Sequence, residues 1–308
     1  MNPWAVLGAF LLLGLWLSIF GVAWPESDLD WQIVQELRAP RALAAALVGS
    51  LLAVCGLLMQ AQLRNPLAEP YILGLSGGAS VAVLAGGLLG YTGVERSVWA
   101  FLGALASLIL LFALTRAGRA DPIRILLTGV LISAAAGALG SLLITLSDPL
   151  STQLSLVWLM GDFSGAGVPL YSIPIWLLVL AGLIRFGRLL DLMTRGGEAV
   201  ATLGLDTRRW QMILLGLVSV LTAIAVAIAG PIGFVGLVVP HLVRFADPMA
   251  GHGRWIGLCA VGGGGLLLWA DWLGRVVIAP AQLPAGVIMA LVGIPALLAL
   301  LGRTYAAR

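Results

Sequence analysis

The sequence has no lysine and little charge of either sign. All 17 of its basic residues are arginine, and charged residues make up 10% of the chain, against about a quarter in soluble domains. Most of the surface therefore cannot face water. A Walker A phosphate loop and a Schiff base both require lysine, so the chain has neither an ATPase site of that type nor Schiff-base chemistry.

Other reactive groups are scarce as well. Cys55 and Cys259 lie in apolar stretches, and two histidines are too few for a zinc site without carboxylate ligands. One of them, His241, follows Pro240, and we interpret it as a helix-start residue rather than a metal ligand. No Asp or Glu stands near the middle of an apolar run. This argues against an ion-coupled carrier and an intramembrane enzyme, since both need ionisable groups at membrane depth.

Ten apolar runs approach the length of about 20 residues that a helix needs to cross a bilayer. They predict spans near 3–24, 42–62, 71–90, 97–115, 124–146, 171–190, 210–229, 233–246, 255–272 and 285–302. The eighth run is short, and Pro231, Pro240 and several glycines predict a broken or tilted element there. We therefore expect an all-α, polytopic membrane protein with ten transmembrane helices in a single transmembrane domain, residues 1–308.

The positions of the arginines predict the orientation. With the N-terminus inside, 13 arginines fall in inner segments and four in outer segments, as the positive-inside rule requires. Both termini are then cytoplasmic, and the scattered arginines indicate topology rather than nucleic-acid binding. Three of the four outer arginines, Arg38, Arg41 and Arg275, lie close to helix ends. From composition alone, a random scatter of the arginines explains these three positions equally well.

Four short segments are more specific than the spans. They read R-A-P-R from Arg38, R-N-P-L-A-E-P from Arg64, G-F-V-G-L-V-V-P-H-L-V-R from Gly233 and L-P-A-G from Leu283. In this order and spacing they resemble the permease subunits of FecCD-type (type II) ATP-binding-cassette (ABC) importers for iron chelates, haem and cobalamin. The resemblance runs from about Arg38 to Arg303. It implies ten helices per subunit and two subunits around one pathway, which agrees with the span count.

The resemblance implies that the outer arginines dock a periplasmic binding protein. Arg38, Arg41 and Arg275 occupy the positions that receive its glutamate side chains, and arginine suits this role because it binds carboxylates bidentately and stays charged. A lipid headgroup or an ion pair within the loop, for example with Glu36, is the alternative. The family usually has an acidic residue where this chain has Gln282. We expect this change either to leave Arg275 freer for a partner or to reflect a different binding protein.

On the inner side, the resemblance makes Asn65 and Leu67 candidate residues of the cytoplasmic gate, where leucine can close a pore by excluding water. Packing at a helix-breaking turn is the alternative. The inner loop at about residues 191–209 resembles the part that couples to the ATPase, and an ordinary amphipathic loop is the alternative. Its candidate coupling residues are Glu198, Ala199, Leu203 and Gly204.

The sequence thus predicts the permease subunit of an importer in the bacterial inner (cytoplasmic) membrane, with no enzymatic site, cofactor or metal of its own. The expected partners are two ABC ATPase subunits, a periplasmic substrate-binding protein, the lipid bilayer and a second permease subunit, in a homodimer or a heterodimer. An iron siderophore is the first candidate substrate, with cobalamin and haem as alternatives that the spans do not distinguish. A secondary (ion-coupled) transporter and a lipid-modifying membrane enzyme are the rival functions.

Overall fold

The computed structural model describes residues 2–21, 25–91, 93, 95–115, 122–165, 167–195 and 207–306. Within these ranges the regular structure is helical and no β-strand occurs, which confirms the predicted all-α class. The first half contains α1 (Pro3–Phe20), α2 (Asp28–Ile33), a π-helical turn (Val34–Arg38), α3 (Ala39–Leu63), a 3-10 turn (Pro70–Leu73), α4 (Leu75–Leu88), α5 (Glu95–Thr115) and α6 (Pro122–Leu146). The second half contains α7 (Pro149–Leu159), α8 (Ser172–Arg185), α9 (Gly187–Arg195), α10 (Thr207–Ala229), α11 (Val235–Ala246), α12 (His252–Val276) and α13 (Ala285–Ala306).

Within the described ranges, six helices are long and apolar enough to cross a membrane: α1, the continuous α2–α3 helix, α5, α6, α10 and α12. Helices α8 and α9 meet at a bend of 49° and pass the same test as one broken span. Shorter apolar helices are α4, α11 and the first part of α13. Each predicted span overlaps one of these elements, whereas α7 was not predicted. The chain is therefore built as a multi-pass membrane protein, while the number of crossings and their orientation stay a prediction.

Helix α3 forms the centre of the bundle. In the most apolar part of the α2–α3 helix, 89% of the residues are buried, and α3 packs against α10, α11 and α12. Glycines allow this close packing: a methyl group on Gly49 would overlap the backbone of Gly263, and one on Gly56 would overlap the backbone of Gly236. Small residues matter in lipid because close van der Waals contact, rather than hydrophobic burial, holds the helices together.

The broken element predicted near residues 230–240 is present, but the break is shorter than expected. It ends at Phe234, which has a left-handed φ of 69°, and α11 then continues through Pro240. Proline has no N–H, so the carbonyl of Gly236 loses its helical partner. Gln60 Nε2 of α3 donates to that carbonyl at 2.9 Å, and Arg244 Nη2 donates to Gln60 Oε1 at 2.5 Å. A side chain of the central helix thus replaces the hydrogen bond that the proline removes.

His241 lies inside α11 rather than at its start, so its predicted helix-start position is wrong. Its Nδ1 lies 2.8 Å from the carbonyl oxygen of Leu237 one turn earlier. Cys55 and Cys259 are both buried and free. Among the described residues no group of three or more His, Cys, Asp or Glu side chains is close enough to hold a metal ion.

The glycine contact between α3 and α11 predicts a stability effect. We expect Gly56→Ala to lower the melting temperature of the detergent-solubilised protein, because overpacking a tight contact costs about 1–3 kcal/mol. Gly216→Ala in α10 is the matched control, since a methyl group there meets nothing within 4 Å and alanine favours a helix by up to about 1 kcal/mol. The packing account fails if the two variants melt at the same temperature.

Candidate functional site

The three outer arginines converge on one cleft. Arg38 ends the π-helical turn, Arg41 lies in the first turn of α3, and Arg275 lies in the last turn of α12. Together with Ser164 and Gln282 they line a cleft of about 670 Å³, which we call the outer cleft. The continuous α2–α3 helix positions the first two side chains, and the close glycine packing of α12 on α3 brings the third beside them.

A buried carboxylate holds two of these arginines. The Asp271 side chain is 0% exposed, and both Nε and Nη2 of Arg41 lie 2.8 Å from its Oδ1. Its Oδ2 lies 3.2 Å from Arg275 Nη2, close enough for an ion pair although not aligned as a hydrogen bond. Arg275 Nη2 also donates to the carbonyl and hydroxyl oxygens of Ser18 in α1, at 2.9 and 2.7 Å. The cluster therefore joins α1, α3 and α12 at one end of the bundle.

These contacts identify partners of two arginines inside the chain. Asp271 pairs with both Arg41 and Arg275, and the turn carboxylate Asp162 is a second partner of Arg41. Gln282 Oε1 accepts from Arg41 Nη1 at 3.0 Å, while Arg275 pairs with a carboxylate of its own helix. The effect of Gln282 on Arg275 stays a prediction. The sequence shows Asp271 four residues before Arg275, but its pairing with Arg41, 230 positions away, needs the tertiary structure.

The guanidinium group of Arg41 also contacts the turn at residues 161–165. Its Nη1 donates to Ser164 Oγ at 3.2 Å, and its Nη2 lies 3.5 Å from Asp162 Oδ1. This turn also contacts α10 and α13. The Asp162 N–H donates to the carbonyl of Ala229, and the Gly286 N–H donates to the carbonyl of Gly161, both at 2.9 Å. Arg41 is therefore linked, through this turn, to the end of α10 and the start of α13.

The inner candidate gate residues lie in a tight turn after α3. Asn65 Oδ1 accepts the N–H of Leu67 at 3.0 Å, an arrangement that fixes a turn locally. Leu67 is 41% exposed, so its apolar side chain is available to a neighbouring surface. Arg64, which precedes them, ends α3 with a left-handed φ of 48°. The structure thus gives Asn65 a turn-forming role, and the gate assignment of both residues stays a prediction.

Two residues that the sequence did not single out, Glu69 and Tyr71, join the segment between α3 and α4 to the break before α11. Glu69 Oε1 accepts the N–H of Phe234 at 2.6 Å, and the Tyr71 hydroxyl accepts the N–H of Ile232 at 3.1 Å. Glu69 lies in the turn between α3 and α4, where burial raises its pKa to about 7 and the hydrogen bond from Phe234 opposes that shift. The sequence signal for Glu69 was its place as an acidic residue between Pro66 and Pro70 in the R-N-P-L-A-E-P motif.

The predicted coupling residues Glu198, Ala199, Leu203 and Gly204 fall in residues 196–206, outside the described part of the chain. The helices on both sides are described. On α9, Asp191 Oδ1 lies 2.6 Å from His252 Nδ1 and accepts the His252 N–H at 3.0 Å. Arg64 Nη2 donates to the carbonyl of Met193 at 3.3 Å. Helix α9 is thus held to the start of α12 and to the end of α3.

Comparison with known proteins assigns the chain to a family. The family model described as the FecCD transport family matches residues 5–303. The chain belongs to this family. FecCD members are permease subunits of ABC importers, so the protein is a transport subunit whose ATPase is a separate chain.

Two curated relatives match most of the chain. The chain is 37% identical over 287 residues to the vitamin B12 import system permease protein BtuC of Yersinia pseudotuberculosis serotype O:1b (strain IP 31758), covering 91% of this chain and 85% of that protein. It is 36% identical over 321 residues to the hemin transport system permease protein HmuU of Yersinia pestis, covering 96% of this chain and 94% of that protein.

Solved structures agree with the FecCD assignment. A metal-chelate type ABC transporter in an inward-facing conformation matches with a TM-score of 0.87 at 26% identity, over 97% of this chain and 98% of that chain. PsaBC from Streptococcus pneumoniae, solved in complex with a Fab, matches with a TM-score of 0.61 at 16% identity, over 88% of this chain and 93% of that chain. The second likeness shows the fold alone.

The buried carboxylate of the outer cleft predicts a large stability effect. We expect Asp271→Asn to lower the melting temperature in detergent strongly, since removing one partner of a buried ion pair costs about 3–5 kcal/mol. Asp148→Asn is the control, because Asp148 is an exposed cap of α7 and asparagine caps helices equally well. Equal melting temperatures for the two variants would show that Asp271 does not hold the cluster.

Proposed function

We propose that two copies of the chain form the transmembrane pathway of an importer for a metal chelate in the bacterial inner membrane. A loaded periplasmic binding protein docks at the outer cleft, and two ATPase subunits act at the opposite, cytoplasmic end. The transport functions named for the two relatives favour cobalamin or haem, and an iron siderophore belongs to the same class of substrate. In this proposal all ten apolar elements cross the bilayer and both termini are cytoplasmic.

The observation that carries the proposal is the convergence of Arg38, Arg41 and Arg275 on one cleft. Two of the three are held in fixed positions by Asp271, and a rigid guanidinium loses less entropy when it binds a carboxylate. Arginines are disfavoured on the outer side by the positive-inside rule, so a group of them at one outer site calls for a function. Carboxylates of a docking protein would supply the opposite charge and fix its orientation.

The helix α6 supports a second copy. Its exposed face includes Ala134, Gly137, Ala138 and Ser141, and a methyl group on Gly137 would meet nothing within 4 Å. Small residues on a membrane helix allow another helix to approach closely. A neighbouring permease subunit, identical in a homodimer, would cover this face and complete the pathway.

At the cytoplasmic end, residues 196–206 are the proposed contact with the ATPase, through Glu198, Ala199, Leu203 and Gly204. Asn65 and Leu67 are the proposed gate, where the exposed leucine side chain would meet its counterpart from the second subunit and exclude water. ATP binding and hydrolysis in the ATPase would switch the pathway between outward and inward access.

Reconstitution in liposomes tests the transport function. The permease and its ATPase are combined with each periplasmic binding protein of the same genome, loaded with ferric siderophore, haem or cobalamin. We expect uptake of one of these compounds only with ATP, because the chain has no midspan carboxylate to couple an ion gradient. Uptake driven by a proton or sodium gradient without the ATPase would contradict the proposal and favour the ion-coupled carrier.

Charge reversal tests the docking site. We expect Arg38→Glu to weaken association with the binding protein that supports uptake by about tenfold or more at low salt. The effect should be smaller at high salt, because salt screens the attraction between charges at the rim of an interface. Arg96→Glu changes an outer arginine that does not line the outer cleft and serves as the control. Unchanged affinity of Arg38→Glu at low salt would remove the docking role.

A further inference from the structure

The end of α3 contacts both sides of the proposed coupling segment, residues 196–206. On the α9 side, Arg64 Nη2 donates to the carbonyl of Met193 at 3.3 Å. On the α10 side, Gln62 Nε2 donates to the carbonyl of Gln211. The two donors are two residues apart, while their acceptors lie on opposite sides of the segment. One short piece of chain therefore holds both flanks of the segment.

The same piece of chain leads directly into the proposed gate. Asn65 follows Arg64, and the turn is hydrogen-bonded to itself and back to α3: the Asn65 N–H donates to the carbonyl of Gln60 at 3.2 Å, and the Ala68 N–H donates to the carbonyl of Asn65 at 3.0 Å. The left-handed conformation of Arg64 further fixes the direction in which the chain leaves α3. The end of α3 and the gate turn are thus one connected unit.

A second contact on α9 provides a fixed point. The Asp191 carboxylate pairs with His252 at the start of α12, and a methyl group on Gly187 would overlap the backbone of Gly253. Met193 lies two residues beyond Asp191, nearer to the coupling segment. The Met193 carbonyl that Arg64 binds thus lies between this contact and the coupling segment.

We propose that Gln62 and Arg64 are positioning residues that transmit movement of the ATPase-coupling segment to the cytoplasmic gate. This inference rests on the proposed function and deepens it, because it names the link between two sites that the proposed function leaves separate. Coupling between sites needs an element that both sites contact. The end of α3 is such an element, since it binds both flanks of one site and is continuous with the other.

The test measures ATP hydrolysis and uptake in the same liposomes. Gln62→Leu and Arg64→Met each remove the donor and keep a side chain of similar length. We expect both variants to retain bound ATPase and hydrolysis stimulated by the binding protein, while uptake per ATP hydrolysed falls by about fivefold or more, the lower range of allosteric coupling. Arg64→Lys keeps one donor and is expected to recover part of the ratio.

Two control variants separate the hydrogen bonds from packing. Gln211→Ala and Met193→Leu change the side chains but keep the carbonyl acceptors, so uptake per ATP is expected to stay at the wild-type value. The inference is overturned if the donor variants keep the wild-type ratio, if the controls lower it equally, or if the donor variants lose hydrolysis and uptake together with the bound ATPase. Absence of ATP-driven uptake in the wild type would instead overturn the proposed function.

Discussion

Polar groups inside a membrane bundle must find their partners within the protein, because the lipid offers none. In this chain long-range side-chain bonds meet that constraint where the helices are irregular. Gln60 binds the carbonyl that Pro240 leaves unpaired, and Glu69 binds the backbone at the start of α11. Asp271 pairs with two arginines of the outer cleft. The pairings of Gln60 and Glu69 thus help to place the irregular segments, beside the glycine-based packing of the helices.

The scarce charge is concentrated at the two ends of the bundle, where the proposed partners bind. A buried ion pair contributes little net stability compared with apolar packing, but it fixes the positions of the groups that form it. Fixed guanidinium groups suit the outer cleft, where carboxylates of a second protein are proposed to bind them. At the inner end, Arg64 and the Asp191–His252 pair hold α9 against the bundle. Both ends thus combine a rigid support with a surface at which another chain is proposed to bind.

The apolar runs predict the fold class and nearly every helix, because a membrane helix needs a continuous apolar stretch. Sequence motifs also predict the family and the outer arginines. The short helix α7 is missed because it is not an apolar run, and the continuation of α11 through Pro240 is missed because Gln60 compensates from another helix. The partners of Arg41 and the role of Glu69 depend on residues distant in sequence. They require the tertiary structure, whereas the coupling residues lie outside its described part.

The most direct test of the central claim is an experimental structure of the permease with its ATPase and loaded binding protein in a lipid environment. The account predicts carboxylate oxygens of the binding protein within about 3.2 Å of guanidinium nitrogens in the outer cleft, with the ATPase on the opposite face against residues 196–206. A complex in which the outer cleft contacts lipid or the second permease subunit, or in which the ATPase binds on the same side as the cleft, would contradict it.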